Sequence, residues 1–512
     1  MNHNAAIYFV DRHQNEGRGD KTAFREAAGK KRSISYRELS DLSARVAGAF
    51  AQAGIAREER ALMLVLDQLE FPAIFWGALK AGVIPVPINT LLASSVYKTI
   101  LDDSRATCLF ASAELYRTVQ PALSDNPWLR LVVVIGAEPH EGATDFDAFL
   151  RGAQPREAVQ ASPDEVAFWL YSSGTTGKPK GVRHVHSSLG YTCETYARQV
   201  LGIREEDVVY SVAKMFFAYG MGNALSFPMS AGATTILFNG RPEPQAISAI
   251  LEQEKPTIFC GVPTLYAAML HYWDKEGGPG KTSLRICVSA GEALPEEVGK
   301  RWRELLGVDI LDGVGSTEML HIFLSNKPGD IIYGTSGRAV PGYQLRLVDE
   351  EGKDVEPGGI GELLIRGDSA ADGYWNQRRK SCTTFEGEWT RSGDKYELTE
   401  DRRYVYCGRT DDMFKVSGIW VSPFEVEQAL IAHPSVLEAA VVAKHDSDGL
   451  EKPLAYVVLK DGADASVLDQ LKEFVKESIG KWKYPRWIEV IDELPKTATG
   501  KIQRFLLRER AQ

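Results

Sequence analysis

The sequence predicts an α/β protein with a large N-terminal lobe of α/β sheets, a small β-rich subdomain and an α+β C-terminal lobe. Three observations support this fold class. Short apolar strands alternate with helix-length segments through about the first four hundred residues, turn-rich strand pairs follow residue 340, and roughly the last hundred residues show a β-α-β pattern. The length of 512 residues is enough for two to four domains.

The large lobe is predicted from its apolar runs. A helix over 44–55 is expected to end near Gly54, and a buried strand follows at 60–66. The stretch 71–88 predicts a helix and then a strand. Further apolar strands are predicted at 165–170, 233–238, 256–262 and 285–291. Because helix-length segments separate these strands, we expect largely parallel sheets.

The predicted secondary-structure pattern changes after residue 340. The stretch 343–367 predicts a strand, a turn at Pro357-Gly358-Gly359 and a second strand, and 387–412 continues this antiparallel pattern. Near the C-terminus, strands are expected at 437–444, 453–460 and 487–492. An amphipathic helix lies between the last two strands, and its apolar face is formed by Val467, Leu468, Leu471, Phe474, Val475 and Ile479.

Composition limits the classes of partner. The net charge is −10, so no basic field would attract a nucleic acid. No basic amphipathic run marks a membrane surface, no apolar run is long enough to span a bilayer, and the N-terminus lacks the pattern of a signal peptide. None of the six cysteines has CxxC spacing, so we expect reduced thiols in a cytoplasmic protein.

The stretch YSSGTTGKPKG, residues 171–181, concentrates glycines, hydroxyl groups and lysines directly after an apolar strand. It is not a Walker A loop, because only two residues separate Gly174 from Gly177 and Pro179 follows Lys178. Glycines allow backbone N–H groups to point inward, hydroxyls add donors and lysines add charge. A solvated surface loop is the alternative. The candidate phosphate-binding residues are Ser172, Ser173, Gly174, Thr175, Thr176, Gly177, Lys178 and Lys180.

Four more motifs follow in order: GVGSTEM (313–319), TRSGDKY (390–396), GRTDDMFKVSGIWVSPFEVE (408–427) and PKTATGKIQR (495–504). With these motifs, nearly the whole chain resembles the adenylate-forming (ANL) superfamily of acyl- and aryl-CoA ligases, peptide-synthetase adenylation domains and luciferases. The resemblance implies an acyl-CoA synthetase-like fold, with an AMP-binding domain at 1–410 and a mobile C-terminal domain at 411–512. It also implies that ATP and Mg²⁺ convert a carboxylic acid to an acyl-adenylate, which coenzyme A converts to a thioester and AMP.

The resemblance also assigns the nucleotide site. The loop at 171–181 would hold the β- and γ-phosphates, Glu318 would be the Mg²⁺-linked carboxylate and Thr317 would contact the α-phosphate. Asp394 would accept hydrogen bonds from both ribose hydroxyls, with Arg409 beside it, although a surface ion pair is the alternative. The adenine would lie against Ala290, Gly291, Glu292, Asp312 and Gly313.

Three residues of the C-terminal lobe have roles that the resemblance implies. Lys501 would stabilise the charge that grows on phosphate oxygens during adenylation. Asp411 matches the hinge between the lobes, and Gly418 would lie near the pantetheine tunnel. Lysines in this motif are acetylated in some relatives, so a lysine acetyltransferase acting on Lys501 is a suggested partner.

Two stretches bear on the identity of the acid. KMFFAYGMGNALSFP (214–228) holds four aromatic residues, and Gly220 and Gly222 are expected to leave room beside them for a flat, short acid. With STEMLHIFLSN (316–326), it closely resembles the benzoate–CoA ligase and 4-hydroxybenzoate–CoA ligase branch. That branch implies a ring pocket lined by Phe217, Ala218, Tyr219, Gly220, His321 and Ile322. His321 is expected to donate a hydrogen bond to a ring hydroxyl or to the carboxylate, whereas the HxH pair His184 and His186 is expected to be structural.

The resemblance therefore implies an AMP-forming aryl-CoA ligase of aromatic acid degradation that acts on benzoate or a hydroxybenzoate, as a monomer or homodimer. Preference for 4-hydroxybenzoate over benzoate stays open at this point. The alternatives are an adenylation enzyme that loads a carrier protein, a short- or medium-chain fatty-acyl-CoA ligase, and a nucleotide-binding sensor.

Overall fold

A computed structural model describes residues 2–136, 142–173, 179–410, 412–416, 419–446, 450–460, 462–463, 465–480, 483–496 and 502–511. Eight predicted site residues lie outside this described part of the chain: Gly174, Thr175, Thr176, Gly177, Lys178, Asp411, Gly418 and Lys501.

The strands are numbered in chain order. Those up to residue 261 are β1 (Thr22–Glu26), β2 (Ser33–Ser35), β3 (Arg60–Leu64), β4 (Ile84–Pro87), β5 (Cys108–Ser112), β6 (Leu131–Ile135), β7 (Thr144–Asp145), β8 (Val166–Ser173), β9 (Pro179–Val185), β10 (Val208–Ser211), β11 (Thr234–Leu237) and β12 (Ile258–Gly261). The later strands are β13 (Ile286–Ser289), β14 (Ile310–Gly315), β15 (Ile322–Ser325), β16 (Arg338–Ala339), β17 (Gln344–Val348), β18 (Ile360–Arg366), β19 (Gly373–Tyr374), β20 (Phe385–Glu386), β21 (Trp389–Leu398), β22 (Tyr404–Arg409), β23 (Phe414–Val416), β24 (Ile419–Val421), β25 (Val436–His445), β26 (Glu451–Leu459) and β27 (Trp487–Val490).

The α-helices are α1 (Arg12–Asn15), α2 (Tyr36–Gln52), α3 (Glu70–Ala81), α4 (Ser94–Ser104), α5 (Ala113–Val119), α6 (Phe146–Phe149), α7 (His186–Thr192), α8 (Ala218–Met221), α9 (Phe227–Ala231), α10 (Pro244–Gln253), α11 (Pro263–Glu276), α12 (Glu296–Leu306), α13 (Arg378–Thr384), α14 (Pro423–Ile431), α15 (Leu468–Ile479) and α16 (Arg504–Ala511). Short π-helical segments occur at Ile7–Asp11, Cys193–Ala197 and Gly222–Ser226, and 3₁₀ turns at Gln120–Ala122 and Ala465–Val467.

Two sheets form the centre of the large lobe. The larger has the order β16-β15-β14-β13-β12-β10-β11-β1-β2, and its strands from β14 to β1 are parallel. The other has the order β4-β3-β5-β6-β7 and is parallel throughout. Strands β4, β5, β11, β12 and β13 are buried at every position, as expected for parallel strands covered on both faces.

A three-stranded antiparallel sheet of order β19-β9-β8 carries the candidate phosphate loop. Ser172 pairs with Lys180 and Ser173 with Pro179, so residues 174–178 connect the ends of two paired strands. The short strand β19 joins the outer edge of β9, with Tyr374 opposite Val182. The sequence therefore forms a hairpin here rather than the strand-to-helix connection of a Walker A loop.

The remaining sheets confirm the β-rich subdomain and the β-α-β pattern that the sequence predicts. Strands β17, β18, β20, β21 and β22 form an antiparallel sheet, which is the β-rich subdomain. In the C-terminal part, β25 pairs antiparallel with β26, and β26 pairs parallel with β27 after the crossover through α15. The apolar face of α15 packs on this sheet through Leu471 and Val475, which share a buried cluster with Val441 and Val457.

The predicted fold class is confirmed, and most predicted elements appear within a few residues of their expected bounds. The helix predicted at 44–55 begins earlier, at Tyr36, because Ser35 and Glu38 form a capping box that was not recognised in the sequence. Its end agrees with the prediction, since Gly54 has a φ of +69°. No helix in the described ranges is long and apolar enough to cross a membrane. All six cysteines have free thiols.

Candidate active site

The predicted adenine segments lie at the carboxyl ends of neighbouring parallel strands. Ser289 at the end of β13 pairs with Asp312 in β14, and Gly291 adopts a φ of +96°, a conformation that favours glycine. Asp312 is buried, and its Oδ1 has no hydrogen-bond partner among the described residues. Burial raises the pKa of Asp312 well above its usual range, partly offset by backbone N–H groups of Leu294 and Gly313. A buried oxygen without a partner fits a ligand donor such as an exocyclic amine.

Glu318 lies in a polar network just beyond β14. The hydroxyl of Tyr374 donates a hydrogen bond of 2.7 Å to Glu318 Oε1, and Lys180 Nζ lies 3.7 Å from the same oxygen. The Lys180 ammonium also lies 4.6 Å from the centre of the Tyr374 ring. These contacts bring the predicted metal carboxylate next to a lysine of the phosphate hairpin.

His184 joins the same hairpin to the Glu318 segment. Its Nε2 lies 2.9 Å from the carbonyl oxygen of Thr317, so Nε2–H donates, and the ring stacks on Phe168. His186 instead accepts a hydrogen bond from the backbone of Ala5 through Nδ1. The two rings therefore have separate structural partners, and the described residues contain no cluster of three or more potential metal ligands.

The described part of the phosphate hairpin has donors available. Ser172 Oγ is buried and has no hydrogen-bond partner among the described residues. Burial lowers the pKa of Lys180, the Glu318 charge opposes this shift, and the Arg409 guanidinium adds to it. Arg409 is therefore within electrostatic range of Lys180, and the arrangement concentrates positive charge beside the hairpin.

The residues present fit Mg²⁺ that arrives with a nucleotide. Mg²⁺ usually takes one or two carboxylates together with substrate phosphates and waters, rather than a cage of protein ligands. Glu318 supplies one such carboxylate, with about 18% of its side chain exposed. When bound, the cation would neutralise phosphate charge next to Glu318 and Lys180.

Asp394 and Arg409 face each other across β21 and β22. Arg409 Nη1 donates a 3.0 Å hydrogen bond to Asp394 Oδ1. The Asp394 side chain is 17% exposed and the Arg409 side chain 39% exposed. The pair is thus more enclosed than a typical surface ion pair, and Asp394 is oriented by its partner.

If Asp394 binds the ribose, Asp394→Asn should raise the KM for ATP about 10- to 100-fold, because hydrogen bonds to a charged acceptor contribute roughly 1.5–3 kcal/mol each. Steady-state kinetics at saturating acid would measure this change. Asp354→Asn is the matched control, since Asp354 forms an exposed pair with Arg346 in the same subdomain. An unchanged KM for ATP in Asp394→Asn would identify the pair as merely structural.

Most of the residues predicted to line the acid pocket lie in or next to α8, which a π-helical turn follows. Phe217 precedes α8 and stacks at a tilt on Phe216, with ring centres 4.3 Å apart. The Tyr219 hydroxyl lies 3.1 Å from the carbonyl oxygens of Gly261 and Val288, at the ends of β12 and β13. Tyr219 is therefore held against the strand ends that precede the adenine segment, and its O–H has protein acceptors.

His321 is enclosed by aromatic rings. Its ring centre is 4.4 Å from that of Phe227, 5.5 Å from Tyr196 and 5.8 Å from Tyr219. His321 Nε2 lies 3.2 Å from the Tyr219 carbonyl oxygen, so Nε2–H donates there. Burial lowers the pKa of His321 to about 3, so the ring is neutral.

Nδ1 of His321 consequently bears the free lone pair, and it has no hydrogen-bond partner among the described residues. The predicted direction of hydrogen bonding is therefore wrong. The donor is already used by Tyr219, and His321 offers an acceptor instead.

The space expected beside Gly220 and Gly222 is filled by protein. A Cβ on Gly220 would lie 2.0 Å from the Lys214 carbonyl oxygen, and one on Gly222 would lie 2.2 Å from Cδ2 of His321. Gly220 therefore allows α8 to approach the backbone at Lys214 closely, and Gly222 allows the π-helical turn to approach the histidine ring. Ile322, the last predicted pocket residue, is buried and would contact a Cβ on Gly313 at 3.0 Å, which links the acid pocket to the adenine segment.

Buried neutral histidines should make stability depend on pH. Burial lowers the pKa of His13 and His321 to about 3 and of His184 and His186 to about 4, against an ordinary 6.5. Below pH 6.5 these histidines bind protons in the unfolded chain but stay neutral in the folded protein until the pH approaches their lowered pKa values. Each histidine thus removes up to about 1.4 kcal/mol of stability per pH unit as the pH falls. We expect a lower thermal midpoint at pH 5.5 than at pH 7, because four histidines outweigh buried Asp312, whose raised pKa acts in the opposite direction. Equal midpoints would contradict these assignments.

The structure brings together the Ser172–Lys180 hairpin, the Thr317–Glu318 segment and the adenine and acid segments. Tyr374 was not predicted, because the pair Gly373-Tyr374 carries no recognisable spacing signal. The HxH spacing of His184 and His186 does not indicate the contact of His184 with Thr317. The Asp394–Arg409 pair has no direct contact with Glu318 among the described interactions.

Two family models cover most of the chain. That of AMP-binding enzymes matches residues 11–375, and that of the AMP-binding enzyme C-terminal domain matches residues 425–501. The chain belongs to the AMP-binding enzyme family. The resemblance to the adenylate-forming superfamily is thereby confirmed, and the boundary expected at residues 410 and 411 remains a prediction.

Relatives of this AMP-binding enzyme match it over nearly its full length. It is 50% identical over 510 residues to a 4-hydroxybenzoate–CoA/benzoate–CoA ligase of Rhodopseudomonas palustris, covering 99% of this chain and 94% of the relative. It is 53% identical over 513 residues to a benzoate–CoA ligase of Thauera aromatica, covering 99% and 96%. The crystal structure of the anthranilate CoA ligase AuaEII with anthranoyl-AMP superposes with a TM-score of 0.94 and 42% identity, covering 100% of this chain and 97% of the other.

Proposed function

We propose that this AMP-binding enzyme is an AMP-forming aryl-CoA ligase that activates benzoate or a hydroxybenzoate. The observation that carries the proposal is the cluster of aromatic rings around neutral His321, which adjoins Gly313 of the adenine segment through Ile322. A site bordered by aromatic rings suits a planar acid, because aromatic pairs gain from face and edge contacts. The two curated relatives, which are named as benzoate or 4-hydroxybenzoate ligases, support the same class of acid.

In the first half-reaction an oxygen of the aryl carboxylate would attack the α-phosphorus of ATP, and the bond to pyrophosphate would break. Glu318 would hold Mg²⁺, while Lys180 and the hairpin residues would bind the departing phosphates. Asp312 would accept a hydrogen bond from the adenine amine, and Asp394 would bind the ribose. The product is an aryl-adenylate that retains both oxygens of the original carboxyl group, one of them now bridging to phosphorus.

In the second half-reaction the sulfur of CoA would attack the carbonyl carbon of the adenylate, and AMP would leave. The thiol proton passes to solvent as the thioester forms. Glycine at position 418 would keep the approach to the carbonyl free of a side chain. Asp411 would serve as the hinge that exchanges the Lys501 segment for the Gly418 segment.

The hydrogen-bonding state of His321 indicates which substituent on the ring of the aromatic acid the site would favour. Its Nδ1 lacks a donor, and a phenolic hydroxyl is a donor that a buried acceptor would accommodate. We therefore expect a hydroxybenzoate to be used at least as well as benzoate. His321→Phe should lower kcat/KM for that hydroxybenzoate by about 10-fold or more and spare benzoate. Equal losses for both acids would assign His321 only to packing.

The acid class is tested by measuring thioester formation with benzoate, the three hydroxybenzoates, aminobenzoates, cyclohexanecarboxylate and hexanoate. We expect turnover to be confined to aromatic acids. A preference for hexanoate would identify a fatty-acyl-CoA ligase. Adenylate formation without a thioester would favour loading of a carrier protein, and ATP binding without turnover of any acid would favour a sensor.

A further inference from the structure

The segment 369–375 connects the phosphate hairpin to the Glu318 segment. On one side β19 extends the hairpin: Asp372 N–H donates to Arg183 O at 2.9 Å, and Trp375 N–H donates to Gly181 O at 2.8 Å. On the other side Ala371 N–H donates to Glu318 O at 2.8 Å, and Ser369 Oγ donates to Met319 O at 2.8 Å. The segment therefore fixes the distance between two parts of the site that lie far apart in sequence.

Tyr374 makes the side-chain contact within this connection. Its hydroxyl donates to Glu318 Oε1 at 2.7 Å, and its oxygen lies 3.5 Å from Lys180 Nζ. The ring is 4% exposed, and it packs against Phe385 and the apolar cluster of Val182 and Ala371. A buried ring with few accessible rotamers holds its hydroxyl in one place, so it can select one orientation of the Glu318 carboxylate.

We infer that Tyr374 is a positioning residue for the metal-binding carboxylate of Glu318. Its O–H satisfies one carboxylate oxygen and leaves the other available to a cation. The Lys180 ammonium lies near both groups, 3.5 Å from the Tyr374 hydroxyl oxygen and 3.7 Å from Glu318 Oε1. The inference rests on the proposed function, because that function gives Glu318 its role toward Mg²⁺.

Residues that orient metal ligands typically contribute 10- to 100-fold in metal affinity. We expect Tyr374→Phe to weaken Mn²⁺ binding to the full-length protein with α,β-methylene-ATP by about tenfold, measured from the electron paramagnetic resonance signal of free Mn²⁺. In turnover, the Mg²⁺ concentration for half-maximal adenylation should rise by the same factor, while kcat at saturating Mg²⁺ recovers. Thioester formation from supplied aryl-adenylate should not change.

Tyr333→Phe is the matched control, because Tyr333 donates a 3.0 Å hydrogen bond to the carboxylate of Asp309 before the opposite end of β14. This control should bind Mn²⁺ normally. In a Glu318→Gln background, Tyr374→Phe should have no further effect on Mn²⁺ affinity, since its action passes through Glu318. This cycle also separates positioning from a general loss of folding, which would lower affinity in both backgrounds.

Unchanged Mn²⁺ affinity in Tyr374→Phe, or an equal loss in the Glu318→Gln background, would overturn the inference. Failure of the wild-type protein to bind Mn²⁺ with the nucleotide would overturn it as well. The binding measurement contains no carboxylic acid. Normal Mn²⁺ behaviour without turnover of any aromatic acid would therefore contradict the proposed function and leave the role of Tyr374 supported.

Discussion

Lys501→Ala is expected to abolish measurable aryl-adenylate formation. Loss of one positioned donor to developing negative charge lowers a rate by about 10²–10³-fold, which corresponds to roughly 3–4 kcal/mol. The attacking carboxylate and the α-phosphate are both anionic, so a lysine at this position would stabilise the transition state more than the bound substrates. Acid-dependent exchange of pyrophosphate into ATP measures this half-reaction directly.

The second half-reaction should survive in Lys501→Ala, because CoA attack on supplied aryl-adenylate takes place at the carbonyl carbon and makes or breaks no bond to phosphorus. Lys496→Ala is the matched control, because Lys496 belongs to the same motif and its side chain pairs with Glu438. Equal loss of both half-reactions in Lys501→Ala would show a structural rather than a catalytic role. An acetyl group on Lys501 should reproduce the alanine phenotype by removing the same charge.

Gly222→Ala is expected to lower kcat/KM for the preferred hydroxybenzoate by about 100-fold while ATP binding is retained. The added methyl group would lie 2.2 Å from Cδ2 and 2.5 Å from Nε2 of His321, so the ring would have to move and lose its hydrogen bond to Tyr219. Displacements of about 1 Å in a positioning group are enough for such losses. Steady-state kinetics with the preferred acid, together with calorimetric ATP binding, would measure both effects.

Gly190→Ala controls for the general effect of adding a methyl group. Gly190 lies in α7, and a Cβ there meets no atom within 4 Å. The control should keep full activity and gain slight helix stability, since alanine favours a helix over glycine by about 1 kcal/mol. Normal acid kinetics in a folded Gly222→Ala protein would show that His321 does not contribute to the acid site.

The elements that the sequence predicts well are those with a strong apolar signal. Strands β12 and β13 are short buried runs between helices, and α15 has a regular apolar stripe, so burial alone determines their type. The predicted start of α2 is wrong because the signal for that start is a pair of polar residues, Ser35 and Glu38, rather than an apolar period. Local hydrogen bonding at caps is harder to infer than burial.

In the candidate site, too, some features can be predicted from the sequence and others cannot. Its residue types follow from motif resemblance, and the structure brings Glu318, Lys180 and Thr317 into one region. Three features depend on contacts between distant segments and could not be predicted from spacing: Tyr374 on Glu318, His184 on Thr317, and the His321 ring against Gly222. The hydrogen-bond direction of His321 in particular depends on a backbone carbonyl 102 residues away.

The most direct test of the central claim is the product stoichiometry of one reaction containing benzoate, ATP, Mg²⁺ and CoA. Chromatography with mass detection would quantify the thioester and the nucleotides at several times. The account predicts one benzoyl-CoA and one AMP for each ATP consumed, with pyrophosphate in equal amount and no ADP. Formation of ADP would contradict an AMP-forming aryl-CoA ligase. So would consumption of ATP without formation of benzoyl-CoA, provided that no hydroxybenzoate yields its CoA thioester either.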